Sequence, residues 1–193
     1  MSGLPDLNQD NPYVRQQLKD WIKNLVQTYN LDGIRIDTIP EVPKNFWDEY
    51  AQAAGVFQVG ECFNGDSGYV GDYQKHLDSI FNNPMYYSIR DVFQKGKSMT
   101  VLRDGWNEEF RFFKDLDSLG IFVDNHDNAR FLNGNGEHRL FKSALAFALT
   151  ARGILFFYYG VNKDTLAPKI HTTEKLYGTI LIRTVRFTHS FKP

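Results

Sequence analysis

From residue 10 to residue 30 the apolar side chains fall at Val14, Leu18, Trp21, Ile22, Leu25 and Val26. That spacing of three and four puts them on one face of an α-helix. Asp10 or Asn11 is placed to cap it, and Pro12 suits a first turn whose N–H has no helical partner. The period then changes. "LDGIRID" (31–37) is short and β-branched and predicts a strand, whereas "PKNFWDEYAQAAG" (43–55) predicts a helix stopped by Gly55. The alternation continues along the chain. Strands are predicted at "VFQVGEC" (56–62), "LDSIFN" (77–82), "GIFVDNHD" (120–127) and "ILFFYYG" (154–160). Helices are predicted at "MYYSIRDVFQKG" (85–96) and at "EHRLFKSALAFALTARG" (137–153), the latter stopping at Gly153.

The predicted strands are near-continuous apolar runs, as expected when helices cover both faces of a sheet. The fold class is therefore α/β with a parallel sheet. Three of these strands finish on acids: Asp37 after "GIRI", Glu61 after "FQVG" and Asp127 after "FVDNH". In a closed parallel barrel the carboxyl ends of the strands share one rim, and active sites are built there.

Composition narrows the options. The 193 residues suffice for one domain with a core, and a net charge of −1 gives no reason to expect nucleic acid or an anionic membrane as a partner. No apolar run approaches a membrane span, and "MSGLPDLNQDNP" lacks the charged and apolar regions of a signal peptide. Cys62 is the single cysteine, so no intrachain disulfide forms; its position beside a strand end reads as a buried structural thiol. Sixteen Phe and ten Tyr are expected mostly in the core, with a minority free to stack on sugar rings.

Two carboxyl groups flanking one glycosidic bond are what glycoside hydrolysis requires, one attacking or stabilising and the other donating a proton to the leaving oxygen. A third acid favours a distorted sugar and tunes its neighbours. Asp37, Glu61 and Asp127 meet that requirement. Arg35 lies two residues before Asp37, so both side chains leave the same face of the strand, where a guanidinium holds the carboxylate ionised. His126 is placed to donate to a sugar hydroxyl, and Asp124, Asn125, His126 and Asp127 together read as a pocket wall. A single acid at a strand end is more often a helix cap, and a buried Arg–Asp pair is often purely structural. The joint pattern, in order along the chain, is what favours chemistry.

The same stretches resemble an α-amylase of glycoside hydrolase family 13, most like the fungal type. "LDGIRIDT" matches the motif of the nucleophile, implying that role for Asp37 with Arg35 in support. "VGECFNGD" resembles the acid/base motif, implying Glu61. "FVDNHDNARF" matches the motif of the transition-state stabiliser, implying Asp127, with Asn125 and His126 binding substrate. "LPDLN" resembles the motif whose Asp serves a structural calcium site, implying Asp6, with the Glu41 carbonyl as a second ligand. The resemblance covers about residues 3–160 and implies retaining hydrolysis of α-1,4-glucans.

The sequence departs from the family in four places. Pro40 and Glu41 stand where the family's α-amylases usually carry Lys-His, so Glu41 replaces a sugar contact. "LPDLN" in place of "LPDLD" leaves an oligo-α-glucosidase open. The motif that ends the third barrel strand has no counterpart, so a partial (β/α)8 barrel is expected, roughly strands four to eight, with an incomplete calcium site. After Gly160 the resemblance stops: residues 161–193 are expected to be a peripheral or frameshifted tail, since reading one base earlier, with TAA as glutamine, allows family-like Ser-Glu-Gln-Arg. The competing function is a catalytically inactive remnant or glucan-binding protein. The resemblance further implies a monomer acting on an α-glucan or malto-oligosaccharide, secreted or lysosomal.

Overall fold

The computed structural model describes residues 6–161. The expected tail, apart from Val161, lies outside the described residues. Helix α1 (Pro12–Tyr29) is capped by Asn11, whose side chain accepts from the Tyr13 N–H at 2.9 Å, and it ends on Asn30 in the left-handed region (φ 48°). Its buried face is Ile22 and Val26, with Leu18 and Leu25 packed beside them. Trp21, which the spacing assigns to that face, instead points outward and is 55% exposed.

Strands β1 (Gly33–Ile36) and β2 (Phe57–Gly60) are parallel, with Ile36 opposite Gly60, and β3 (Ser79–Ile80) lies parallel on the far side of β2. A parallel bridge from Phe81 to Gly120 leads to β4 (Gly120–Ile121), which pairs in parallel with β5 (Ile154–Leu155). Parallel strands in sequence order with helices between them are consecutive units of a β/α barrel. The strands are shorter than the apolar runs that predict them: β4 has two residues where the sequence suggests eight.

Helices α2 (Lys44–Ala54) and α7 (His138–Thr150) fall where the sequence places helices, and Gly55 ends α2 at φ 63°. Gly153 sits past the end of α7, immediately before β5. The stretch predicted as one helix from residue 85 is α4 (Asn83–Ile89) followed by a π-helical turn, Arg90–Gln94. Helices α3 (Ser67–Tyr73), α5 (Thr100–Phe112) and the short α6 (Phe131–Gly134) are additions to the sequence reading. The apolar period of α5 is obscured because Glu109 faces inward, 6% exposed, while Phe110 faces out, 61% exposed. Gly71 of α3 lets that helix reach α5: a Cβ there would stand 2.6 Å from the Phe112 carbonyl oxygen. Two apolar clusters result. One is built on Ile22, Ile39, Phe46 and Ile80, and the other on Ile89, Phe131, Phe141 and Ala144.

Candidate active site

The register that puts Ile36 opposite Gly60 places the next residues, Asp37 and Glu61, side by side at the carboxyl ends of β1 and β2. Two further main-chain bonds extend the pairing: Glu61 N–H donates to Ile36 O (2.8 Å), and Ile39 N–H donates to Glu61 O (3.0 Å). Between them Thr38 adopts the left-handed conformation (φ 47°, ψ 48°) and donates its N–H to Glu61 Oε2 at 3.1 Å. Arg35 bridges the two acids. Its Nη1 donates to Asp37 Oδ1 at 2.6 Å, and its Nη2 lies 3.8 Å from Glu61 Oε2.

The two carboxyl groups sit in different surroundings. The Asp37 side chain is 69% exposed, whereas Glu61 is 7% exposed. Burial raises the pKa of Glu61; the Thr38 N–H and Arg35 oppose the shift, and the negative charges of Asp37 and Asp127 reinforce it. Asp127 therefore shares the electrostatic neighbourhood of the other two acids. Tyr87 of α4 also faces this group, its phenol pushed up by burial and by the Glu61 charge. The Tyr87 ring meets Phe63 edge-on at 6.2 Å. Cys62 is fully buried and its thiol is pushed up to about 12, mainly by burial, which fits a structural thiol and not a nucleophile.

Asp127 is not at a strand end. Strand β4 stops at Ile121, and Asp127 stands in the loop before α6. His126 Nε2 lies 3.2 Å from Asp127 Oδ2, and its ring is 6.3 Å from Tyr158. Asn125 turns its Oδ1 to Asn128, accepting from the main-chain N–H (3.0 Å) and from Nδ2 (2.8 Å). Asp124 is not part of a pocket wall: it is 5% exposed and paired with Arg90 at 2.6 Å. Its short side chain meets an arginine reaching in from the helical layer.

Glu41 is exposed on a single 3-10 turn, Ile39–Glu41, and Asp6 is exposed as well. Among the described residues no three His, Cys, Asp or Glu side chains converge as a metal-holding group. Calcium takes six to eight oxygens, so the Asp6 carboxylate and the Glu41 carbonyl do not make a calcium site.

Three contributors were missed in the sequence. Thr38 acts through its main chain, which leaves no residue-type signal. Tyr87 reads as one more core aromatic of a helix. Arg90 was the visible one: an arginine inside an otherwise apolar helical period needs a buried partner.

A buried acid and an exposed acid, joined by an arginine at the strand ends of a parallel β/α array, give the arrangement of a glycosidase-like site. The family model described as "Alpha amylase, catalytic domain" matches residues 1–177, and the chain belongs to that family. The match runs past Gly160, where the sequence resemblance stops. Alpha-amylase 1 of Lipomyces kononenkoae is 38% identical over 90% of this chain and 30% of its own length. Beta/alpha-amylase of Paenibacillus polymyxa is 43% identical over 84% of this chain and 14% of its own length. The chain thus spans about a third or less of these relatives. Among solved structures, an α-amylase from Malbranchea cinnamomea superposes with a TM-score of 0.81 at 39% identity, covering 84% of this chain and 35% of that one. An α-amylase from Geobacillus thermoleovorans, solved with acarbose, gives 0.80 at 33% identity over 86% of this chain and 40% of that one.

Proposed function

We propose that this chain carries the acid machinery of an α-amylase-type glycoside hydrolase acting on α-1,4-glucans with retention of configuration. The observation that carries the reading is the contrast between Glu61 and Asp37. Glu61 is buried and favours its proton, while Asp37 is exposed and held by Arg35. In this reading Glu61 gives its proton to the leaving glycosidic oxygen as Asp37 attacks the anomeric carbon. Glu61, now a carboxylate, then takes a proton from the water that cleaves the glycosyl ester. Asp127 offsets the positive charge of the oxocarbenium-like transition state. His126 donates to a sugar hydroxyl, and Asn125 and Glu41 are the remaining candidates for sugar contacts.

An α-glucan or malto-oligosaccharide is the proposed partner, the proposed state is a monomer, and secretion or lysosomal delivery is proposed from the family resemblance. No helix among the described residues is long and apolar enough to cross a membrane. The test is hydrolysis of maltoheptaose, with the anomer of the first product read by proton NMR. Glu61→Gln should abolish turnover, and equal turnover in that variant removes Glu61 from the role. A second reading, glucan binding without turnover, is favoured by the 69% exposure of the Asp37 side chain. It predicts binding of maltoheptaose with no product in either protein.

A further inference from the structure

The loop that carries His126 and Asp127 is gripped at both of its legs by one side chain. Arg90 Nη2 donates to Val123 O (3.3 Å) and Asp124 Oδ1 (2.6 Å) on the leg leaving β4, and to Ala129 O (2.8 Å) on the leg entering α6. Asp124 Oδ1 closes the ring by accepting from the Phe131 N–H at 2.8 Å. Arg90 is 7% exposed, and its guanidinium lies 5.0 Å from the Tyr86 ring and 5.7 Å from the Phe131 ring. Four residues on, Gln94 adds a second grip, donating from Nε2 to Phe131 O at 2.6 Å, while its main-chain carbonyl accepts from Asn135 Nδ2 at 3.1 Å.

Both gripping residues stand on the π-helical turn, where the Lys95 N–H reaches back five residues to Arg90 O at 3.0 Å. Such turns break the α-helical ladder at a cost and concentrate at functional sites. A buried arginine–aspartate pair is weak evidence for stability, since an apolar pair often does as well; its best-attested use is to select one arrangement. Here the arrangement selected is the span from residue 123 to residue 131.

We infer that Arg90, assisted by Gln94, is a positioning residue that fixes the loop bearing Asp127 against the other two acids. The inference rests on the role proposed above for Asp127. One nitrogen, Nη2, reaches both legs, and it is held there by a planar guanidinium lying against the Tyr86 and Phe131 rings; a lysine ammonium carries the charge on a compact, strongly hydrated point with no such plane.

Arg90→Met alone leaves the buried Asp124 with only the more distant Arg130, 3.7 Å away, as a cation and threatens folding. The test therefore uses Arg90→Met/Asp124→Asn in the full chain, which removes both charges and keeps an acceptor for the Phe131 N–H. Arg90→Lys is made beside it, keeping the charge without the planar guanidinium. Amide hydrogen exchange by mass spectrometry over residues 123–131, urea unfolding, and kcat and KM on maltoheptaose are the readouts. The double variant should unfold at nearly the parent's urea midpoint yet exchange about tenfold faster in the loop, with kcat down about 10- to 100-fold and KM within about twofold. Arg90→Lys should fall between the two. Parent-like loop exchange in the double variant, or fast exchange with parent-like kcat, overturns the proposal. If the parent itself hydrolyses nothing, the proposed function fails, and loop exchange alone decides the clamp. Should the double variant not fold, Gln94→Met, which removes the tie to Phe131 O and the long bond from Arg90 Nη1 while leaving the Arg90–Asp124 pair, is read by the same measurements.

Discussion

The main-chain N–H of Thr38 donates to Glu61 Oε2 at 3.1 Å, so a residue in the left-handed conformation ties the end of β1 to the buried acid. A β-branched side chain at φ 47° is held against its preference, at a cost of about 1–2 kcal/mol. Glycine removes that strain and keeps the N–H, but adds about 0.5–1 kcal/mol of chain entropy to be lost on folding. Thr38→Gly is therefore expected to raise unfolding free energy by up to about 1 kcal/mol in urea titration. A clear loss of stability would mean that the Thr38 side chain makes a stabilising contact larger than its strain.

Glu109 on α5 is a buried acid away from the candidate site. Its carboxylate accepts from Asn82 Nδ2 at 2.5 Å, and burial pushes its pKa up to about 7. The folded state thus favours the protonated form, so its stabilising contribution is complete below the ordinary carboxylate range and is lost as pH rises through about 7. Glu109→Gln removes this dependence. The variant should match the parent near pH 5 and exceed it near pH 8 by on the order of 1–3 kcal/mol, read from urea midpoints at the two values. Identical pH profiles for the two proteins would rule out a proton taken up at Glu109 on folding.

How much of this could be read from the chain differs by element. The parallel α/β class followed from apolar runs alternating with helical periods. The pairing of Asp37 with Glu61 followed because each directly ends a strand. Arg35 could be placed because a spacing of two fixes a shared face. The loop carrying Asp127 was misread as strand: "FVDN" is β-like in composition, but its Asp124 is spent on Arg90, a partner on a helix far back in sequence. Helix α5 was missed because an inward Glu109 and an outward Phe110 invert the pattern that periodicity relies on. Tertiary partners, invisible to a local window, decided both cases.

Asp124 shows the cost of such a partnership. Replacing it with alanine leaves the Arg90 guanidinium, 7% exposed, without its carboxylate, and leaves the Phe131 N–H without its acceptor. Breaking a buried pair from one side costs about 3–5 kcal/mol, and Asp124→Ala is expected to lose that much in urea unfolding. The exposed pair of Arg152 with Asp117 is the control: Asp117→Ala should unfold with the parent. Similar midpoints for both variants would show that the Arg90–Asp124 contact is no more than a surface pair.

The last expectation concerns charge at the acids themselves and needs no turnover. The Glu61 carboxyl is raised first by burial and then by the negative charges of Asp37 and Asp127, against the Thr38 N–H and Arg35. Neutralising either aspartate removes a repulsion felt only by the ionised form of Glu61, so its pKa must fall. Carbon-detected NMR titration of the glutamate carboxyls should show the Glu61 midpoint moving down in Asp127→Asn and in Asp37→Asn, and staying high where burial alone acts. Arg35→Met should move it up, because the guanidinium 3.8 Å away favours the carboxylate. A Glu61 midpoint unchanged in Asp127→Asn would mean that the loop holds Asp127 too far from Glu61 for its charge to act there.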